Sequence, residues 1–394
     1  MAMAVLTAAA GHPDASAIAR AASYRVELFG DWREAGARWN DTRPTTPFQD
    51  FRWLGAWYGA FTEVEPLIAV ITDAKTLEQV ALLPLVRRAR RGLSIIEFAD
   101  LDLTDYNAPL LGPAAPRDAA GAQAMWRDLV VALKCMPGGA DLIRLRKLPR
   151  NLDGRPNPLA LLEGTSRSAV NGNLVTIGED FDAWRHSLGR NARKAFVKSW
   201  RVFTREPQAD FRIVTDPEQA SRVMAAMEAQ QGARMQYLGL SYSLNDQAYA
   251  AFYRDLVGIN LRDGYAVLSA LMVGDEVVAT LLGIRIGARY VMVRFSNAGE
   301  KWAACAPGLL VIERTMAALH ADGVRSFDFG TGNYAYKRKF GVSQVPLLNI
   351  TKALSWRGKP LALRDRIVRE LRRYPRLAAR ISRALGTQSA REEF

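Results

Sequence analysis

The sequence predicts an α/β (α+β) protein of two lobes, each a mixed, mostly antiparallel twisted sheet flanked by helices. Three observations lead there. Short β-rich runs alternate with longer helical patterns along most of the 394 residues. The same order of elements occurs twice. Glycine-centred pairs, Gly274-Asp275 and Gly287-Ala288, separate apolar runs at hairpin spacing.

In the first half a strand at 24–29 precedes helical stretches at 31–40 and 50–61. Strands at 66–72, 79–87 and 93–98, a helix at 119–134 and a strand at 141–148 follow. In the second half a strand at 211–215 leads to helices at 217–235 and 246–262. Strands at 265–273, 277–286 and 289–296, a helix at 307–321 and a strand at 324–329 complete it. Asp216 is placed to cap a helix ahead of Pro217, and Pro307 has the fixed φ that suits a first helical position. The halves share few residues, so the repeat is one of pattern. A connector at 149–173, rich in Pro, Asn, Gly and Ser, carries the chain between them. The expected divisions are an Ala-rich leader (1–22), a first lobe with connector (23–173), a second lobe (174–356) and a tail (357–394).

With 49% apolar and 24% charged residues, the chain has a globular rather than a disordered composition. No run approaches the roughly 20 apolar residues of a membrane span. No Lys or Arg precedes Arg20, unlike a secretory signal. Two cysteines, Cys135 and Cys305, give no disulfide framework, which fits a reducing cytoplasm. The net charge of +13 is local. Seven Lys/Arg and no Asp/Glu lie between 185 and 205, and eleven against four lie from 357 onward. Those segments account for the whole excess. Such patches suit a particular anionic ligand or a docking element better than a nucleic-acid coat.

The densest chemistry lies at Phe327-Asp328-Phe329-Gly330-Thr331-Gly332-Asn333-Tyr334-Ala335-Tyr336-Lys337-Arg338-Lys339-Phe340-Gly341. A short strand ends at a carboxylate, passes two glycines able to take positive φ, and delivers two tyrosines and three adjacent cations. The same residues also read as a strand, a turn and a solvated basic loop.

The duplicated order resembles a tandem acetyltransferase fold of the GNAT superfamily. More narrowly it resembles the CelD-like acetyltransferases associated with cellulose biosynthesis, which are distantly related to Fem-type aminoacyl transferases. The resemblance covers about residues 24–355. It rests on Phe327-Asp328-Phe329-Gly330 with Tyr336-Lys337 and Phe340-Gly341, on Ala306-Pro307-Gly308-Leu309-Leu310 opening a helix, and on the basic run 188–205. It implies that the second lobe is catalytic and transfers an acyl group from acetyl-CoA or another acyl-CoA to an amine of a sugar, nucleotide-linked or envelope precursor. It further implies an opening between the strands at 289–296 and 324–329 that takes the pantetheine arm. Phe295, Ser296, Ala306, Gly308 and Leu309 would contact the donor, whose pyrophosphate meets the helix N-terminus, as the helix dipole favours. The segment Lys301-Trp302-Ala303-Ala304-Cys305-Ala306 departs from the family's usual Gln/Arg-x-x-Gly-x-Gly/Ala loop. Aminoacyl-tRNA, the donor of the Fem-type relatives, is therefore the alternative, and a non-catalytic envelope-assembly factor is the rival of another class.

Within this scheme Asp328 either takes the amine's proton or caps the following loop. Tyr336 either protonates the leaving sulfur or packs its ring. Lys337 either stabilises an oxyanion or holds a phosphate. Arg193, Tyr334 and Arg338 are the substrate-binding candidates; Arg193 matches an arginine that Fem-type enzymes place on substrate phosphate. The run 186–205 reads as one helix with Leu188, Ala192, Ala195, Phe196 and Trp200 interleaved with cations. His12, His186 and His320 are scattered, so no metal site is expected. Cys305 is a remote candidate for an acyl-cysteine. In the tail, Leu363, Ile367, Leu371, Tyr374, Ala378, Ile381 and Leu385 form an apolar stripe among arginines, with Pro375 a break. That segment either lies on an anionic membrane surface or packs back on the catalytic lobe.

Overall fold

The computed structural model describes residues 22–40 and 43–372. The leader up to residue 21, with His12, and the tail beyond residue 372, with Pro375, lie outside the described residues. The chain forms two compact units. One takes residues up to 58, 62–169 and those from 346 on; the other takes 59–61 and 170–345.

The first unit contains β1 (Tyr24–Phe29), α1 (Trp32–Ala37), α2 (Phe51–Ala60), β2 (Glu65–Asp73), β3 (Gln79–Arg90) and β4 (Leu93–Phe98). After β5 (Leu110–Leu111), which edges β3, come α3 (Ala119–Cys135), β6 (Leu142–Pro149) and a small hairpin of β7 (Asn151–Leu152) and β8 (Arg155–Pro156). Neighbouring strands in β1-β2-β3-β4 are antiparallel, and β6 lies parallel to β4. The strands alternate buried and partly exposed residues only at their ends. The centres of β2 and β3, such as Ala81 to Leu85, are buried on both faces, as expected of strands covered on two sides. Asp118 caps α3, whose Met125, Trp126, Leu129 and Leu133 pack into the core with Leu83, Ile96 and Ile143.

The second unit repeats that order. β9 (Ser166–Thr176) enters it, followed by α4 (Phe181–Ser187), α5 (Arg190–Phe203), β10 (Ala209–Val214), α6 (Pro217–Tyr237) and α7 (Gln247–Asn260). Strands β11 (Ala266–Val273), β12 (Glu276–Ile286) and β13 (Arg289–Asn297) form an antiparallel meander beside β10. Helix α8 (Pro307–Ala321) then crosses over to β14 (Ser326–Thr331), parallel to β13. Asp216 and Asp246 accept backbone N–H bonds as the caps of α6 and α7, so the expected cap at Asp216 is realised.

Three features differ from the sequence reading. The segment read as a connector contains β9, an 11-residue strand whose latter part pairs antiparallel with β14. Its run Ser166-Arg167-Ser168-Ala169-Val170-Asn171-Gly172-Asn173 is polar and small, so it has no strand signature of its own. Beyond β14, β15 (Ser343–Ala353) returns the chain to the first unit, where Leu347 to Ala353 pair with β6. The basic run is two helices, not one. Leu188 (ψ 152°) and Gly189 (ψ 143°) are extended and separate α4 from α5.

From α9 (Lys359–Arg372), Asp365 reaches Arg144 Nε at 3.1 Å and Thr351 Oγ1 at 3.0 Å, both in the first unit. The start of the tail is thus tied to the first unit, while Leu363 and Ile367 remain exposed. No helix among the described residues is long and apolar enough to cross a membrane.

Candidate functional site

Strands β13 and β14 separate. Their ladder pairs only Arg289 with Ser326, Tyr290 with Phe327 and Val291 with Asp328. β13 continues to Asn297 and β14 to Thr331, so Met292 to Asn297 have no β14 partner, while β12 stays paired to β13 throughout. The two strands thus part beyond Val291 and Asp328, as the resemblance implied.

The segment leaving β14 is fixed by buried contacts. Gly330 (φ 67°) and Gly332 (φ 93°) take the left-handed conformations their sequence suggested. A short 3₁₀ turn, Ala335–Phe340, then ends at Gly341 (φ 71°). Because strand side chains alternate, Phe327 and Phe329 enter the core while Asp328 takes the opposite face. Phe329 meets Phe340 at 4.9 Å between centroids, and Phe340 meets Phe196 of α5 at 5.1 Å. This aromatic relay docks the turn and α5 onto the strand.

Asp328 is fully buried. One oxygen accepts from Arg289 Nη2 at 2.6 Å, and the other accepts the Gly330 N–H at 2.9 Å. Its carboxylate therefore holds the turn. Arg289→Met, which leaves that buried charge without the guanidinium, is expected to cost about 3 kcal/mol. Asp328→Asn is expected to cost about 1–2 kcal/mol, because Arg289 is more than a third exposed and can return to water. Urea midpoints of the two variants test the order.

Lys337, 2% exposed, donates to the carbonyls of Phe329 at 2.8 Å and Thr331 at 2.6 Å, and lies 5.1 Å from the Tyr334 ring centre. Asn173 of β9 donates to the carbonyls of Gly330 and Gly332, each at 2.8 Å. Tyr336 is half-buried; its ring stacks near Tyr334 (6.2 Å) and meets Phe295 of β13 at 5.6 Å. The phenol-bearing turn and the unpaired part of β13 thus face one another. Arg338 is exposed on the same turn.

The start of α8 stands beside β13. A methyl group at Gly308 would make ordinary contacts, 3.4 Å from Asn297 Nδ2 and 3.5 Å from Phe295, so the helix start lies against the side chains of that strand. Ala306 is left-handed (φ 45°) and supplies no side-chain cap, so the first turn of α8 lacks the carboxylate that caps α3, α6 and α7. Ala306, Gly308 and Leu309 are partly exposed, but the N–H groups of Ala306 and Leu309 bond the Ala303 and Ala306 carbonyls, which leaves that of Gly308 for a phosphate. Ser296 differs from its expected place. Strand alternation turns its hydroxyl away from Phe295 toward Gln230 (2.6 Å) and Thr280 (2.9 Å).

Cys305 is buried, and burial pushes its thiol up from the usual range. A neutral thiol without access is a poor nucleophile. Titration of the native protein with a thiol reagent is expected to modify exposed Cys135 rapidly, with Cys305 reacting only after denaturation. His186 and His320 bond the carbonyls of Asp182 and Gly178. Among the described residues no group of three or more His, Cys, Asp or Glu is arranged to hold a metal.

Helix α5 buries Phe196, Ser199 and Phe203 and presents its cations outward. An opening of about 580 Å³ lies against it, lined among the described residues by Arg190, Arg193, Lys194, Val197, Lys198 and Arg201. The Nε of Arg193 is buried there without a hydrogen bond. Arg193, the expected substrate-binding arginine, lies at this opening, whereas Arg289, Asn173 and the Phe196–Phe340 contact, which support the turn, carried no such expectation. Only the alternation around Asp328 hinted that an acid pointing out of the core needs a cation.

The first unit has a counterpart, filled from within. β4 pairs β6 only at Ile95–Leu142 and Ile96–Ile143. Beyond that point lies a cavity of about 10 Å³, lined by residues that include Arg88, Arg90, Glu97, Asp100, Arg144 and Arg146. Asp100 there accepts from Lys147, Thr104 and Asn107.

An antiparallel meander, a crossover helix and a parallel strand that parts from its neighbour give the second unit a GNAT-type fold. The family model described as an acetyltransferase (GNAT) domain matches residues 190–338. Among solved structures, FemX is similar at TM-score 0.57 and 11% identity, over 86% of this chain and 100% of its own. A conserved protein of unknown function from Bacteroides thetaiotaomicron is similar at TM-score 0.51 and 12% identity, over 82% and 96%. A tandem GNAT protein from the clavulanic acid biosynthesis pathway gives TM-score 0.45 at 11% identity, over 84% and 99%. No curated protein matches the sequence significantly.

Proposed function

We propose that the protein is an N-acyltransferase whose second unit transfers an acyl group from acyl-CoA to an amine. The observation that carries this is the parting of β13 and β14 beyond Val291 and Asp328, with Tyr336 on one side and the uncapped start of α8 on the other. The amine nitrogen attacks the thioester carbonyl, the C–S bond breaks, and the Tyr336 phenol gives its proton to the departing thiolate. The proton lost by the amine passes to solvent, which returns one to the Tyr336 phenolate. Asp328 and Lys337 are positioning residues in this scheme: they hold the backbone of 329–331, from which the turn carrying Tyr336 departs. The Gly308 N–H at the start of α8 takes the pyrophosphate, since those of Ala306 and Leu309 already bond the Ala303 and Ala306 carbonyls, and Phe295 flanks the pantetheine. Arg338 and Tyr334 line the approach of the acceptor, for which the CelD-like resemblance suggests a sugar-linked or envelope precursor. Isothermal titration with acetyl-CoA and CoA is expected to give saturable binding; none at millimolar ligand removes the donor assignment.

The cationic opening at α5, with the unsatisfied Arg193 Nε, favours a second reading in which aminoacyl-tRNA is the donor. Binding of tRNA that weakens steeply with salt and is lost in Arg193→Ala supports that reading. The exposed Leu363 and Ile367 on basic α9 suit peripheral contact with an anionic membrane.

A further inference from the structure

On the face of β13 opposite Phe295 lies a polar cluster that the acyl-transfer scheme does not use. Arg294 is 7% exposed. Its Nε and Nη2 donate to Gln231 Oε1 of α6 at 3.2 and 2.5 Å, and Nη2 also donates to the Tyr242 hydroxyl at 3.1 Å. The guanidinium lies over the Tyr253 ring of α7, 4.4 Å from its centre. Nη1 is buried and has no hydrogen-bond partner. Among the described residues no carboxylate pairs with this arginine. Every contact holding it is neutral.

A guanidinium removed from water without an anion carries a desolvation cost that a glutamine, a phenol and an aromatic face do not offset. Its geometry is nonetheless fixed, since two nitrogens and the ring face are occupied. The third nitrogen presents two N–H donors to a neighbour that this chain does not supply. Glu228, one turn before Gln231 on α6, has a buried oxygen that likewise lacks a partner, and its charge acts on the Tyr242 hydroxyl. That negative charge opposes a dianion and tolerates a monoanion, while its free oxygen suits an ammonium or other donor beside the anion. Tyr242 comes from the connection between α6 and α7, whose Leu238 and Leu240 are exposed. The Tyr242 hydroxyl occupies Nη2, so a ligand that takes both Nη1 and Nη2 replaces that hydroxyl's bond while the ring stays.

We infer that Arg294, with Gln231, Tyr242 and Tyr253, forms a carboxylate-binding subsite, and that the acceptor amine is one carrying a carboxylate. The subsite stands on its own geometry; its assignment to the acceptor rests on the acyl-transfer reading.

The test has two arms. In protein labelled with ¹⁵N-arginine, the Arg294 side-chain resonances are followed as acetate or inorganic phosphate replaces chloride at constant ionic strength. A saturable shift with acetate is expected, absent in Arg294→Gln. Tyr242→Phe removes the competing hydroxyl while keeping the ring, and is expected to tighten acetate several-fold. No acetate shift in either the parent or Tyr242→Phe overturns the subsite, and tighter binding of phosphate than of acetate overturns its assignment to carboxylates. In the second arm, release of CoA from acetyl-CoA is compared for 6-aminohexanoate and hexylamine. The carboxylated amine is expected to be preferred at least tenfold in kcat/KM, the preference vanishing in Arg294→Gln. Equal rates overturn the acceptor assignment. An acetate shift with no CoA release from either amine and no CoA binding leaves the subsite standing and removes the acyl-CoA reading instead.

Discussion

Tyr336→Phe is expected to lower kcat for acyl transfer by about 100-fold while leaving the affinity for acyl-CoA within about twofold. The substitution removes one hydroxyl and keeps the ring that meets Phe295 and Tyr334, so the turn stays in place. What disappears is the proton for the departing sulfur, which is needed only in the transition state. Stopped-flow or steady-state assay of CoA release, with titration of the donor, separates the two quantities. A kcat within threefold of the parent would assign Tyr336 to packing alone. Lys337→Met gives the necessary contrast. It takes the ammonium from the carbonyls of Phe329 and Thr331, so it should lower thermal stability together with activity, whereas Tyr336→Phe lowers activity only.

The largest expected loss of stability lies in the first unit. Lys147→Met removes the ammonium that lies 2.8 Å from Asp100 Oδ2, where both side chains are largely buried. Burial alone would raise the Asp100 carboxyl. The Lys147 charge, with bonds from Lys147, Asn107 and Thr104, outweighs it and holds the group below the usual carboxylate range. With the folded value depressed, the pair stabilises the protein fully above the unfolded carboxylate value of about 4, and less as pH falls through the folded value. At pH 7 the variant is expected to lose about 3–5 kcal/mol, because a carboxylate is left buried without its cation. As pH falls below about 4 the parent loses its own advantage and the variant's acid is protonated, so the two denaturation midpoints should converge. A difference that stays constant down to pH 3 would show that packing, not charge, sets the cost.

The two partings of parallel strands have opposite fates. In the first unit Asp100, Lys147, Thr104 and Asn107 satisfy one another beside the gap, leaving about 10 Å³. In the second unit the corresponding span of β13 is met by a phenol and a helix start. The proposed site thus lies in one copy of the pattern, and the other copy is closed by its own side chains. Nothing in the element order distinguishes them, because the difference lies in side chains contributed from loops after β4 and from β6.

Much of the architecture was legible in the amino acids. Apolar runs of strand length, the glycine turns at 274 and 287 and the cap at Asp216 each act on neighbours within a few residues, so they carry their own signal. The positive φ of Gly330 and Gly332 was legible for the same reason. The break at Leu188-Gly189 was not, since a single glycine inside an apolar-cationic pattern is compatible with a continuous helix. Nor were β9 and β15, whose strand state comes from pairing with β14 and β6 rather than from their own composition.

Local chemistry thus fixed the strands, caps and turns, and it marked residues 327–341 as the place where an acid, two tyrosines and three cations converge. Only the tertiary structure decided their duties. It set Asp328 against Arg289 and Lys337 under three carbonyls, and it turned Ser296 away from Phe295. It also left Arg294 buried among neutral neighbours. The reason is range: backbone conformation answers to adjacent residues, whereas the partner of a buried charge arrives from tens of residues away and has no trace in the sequence beside it.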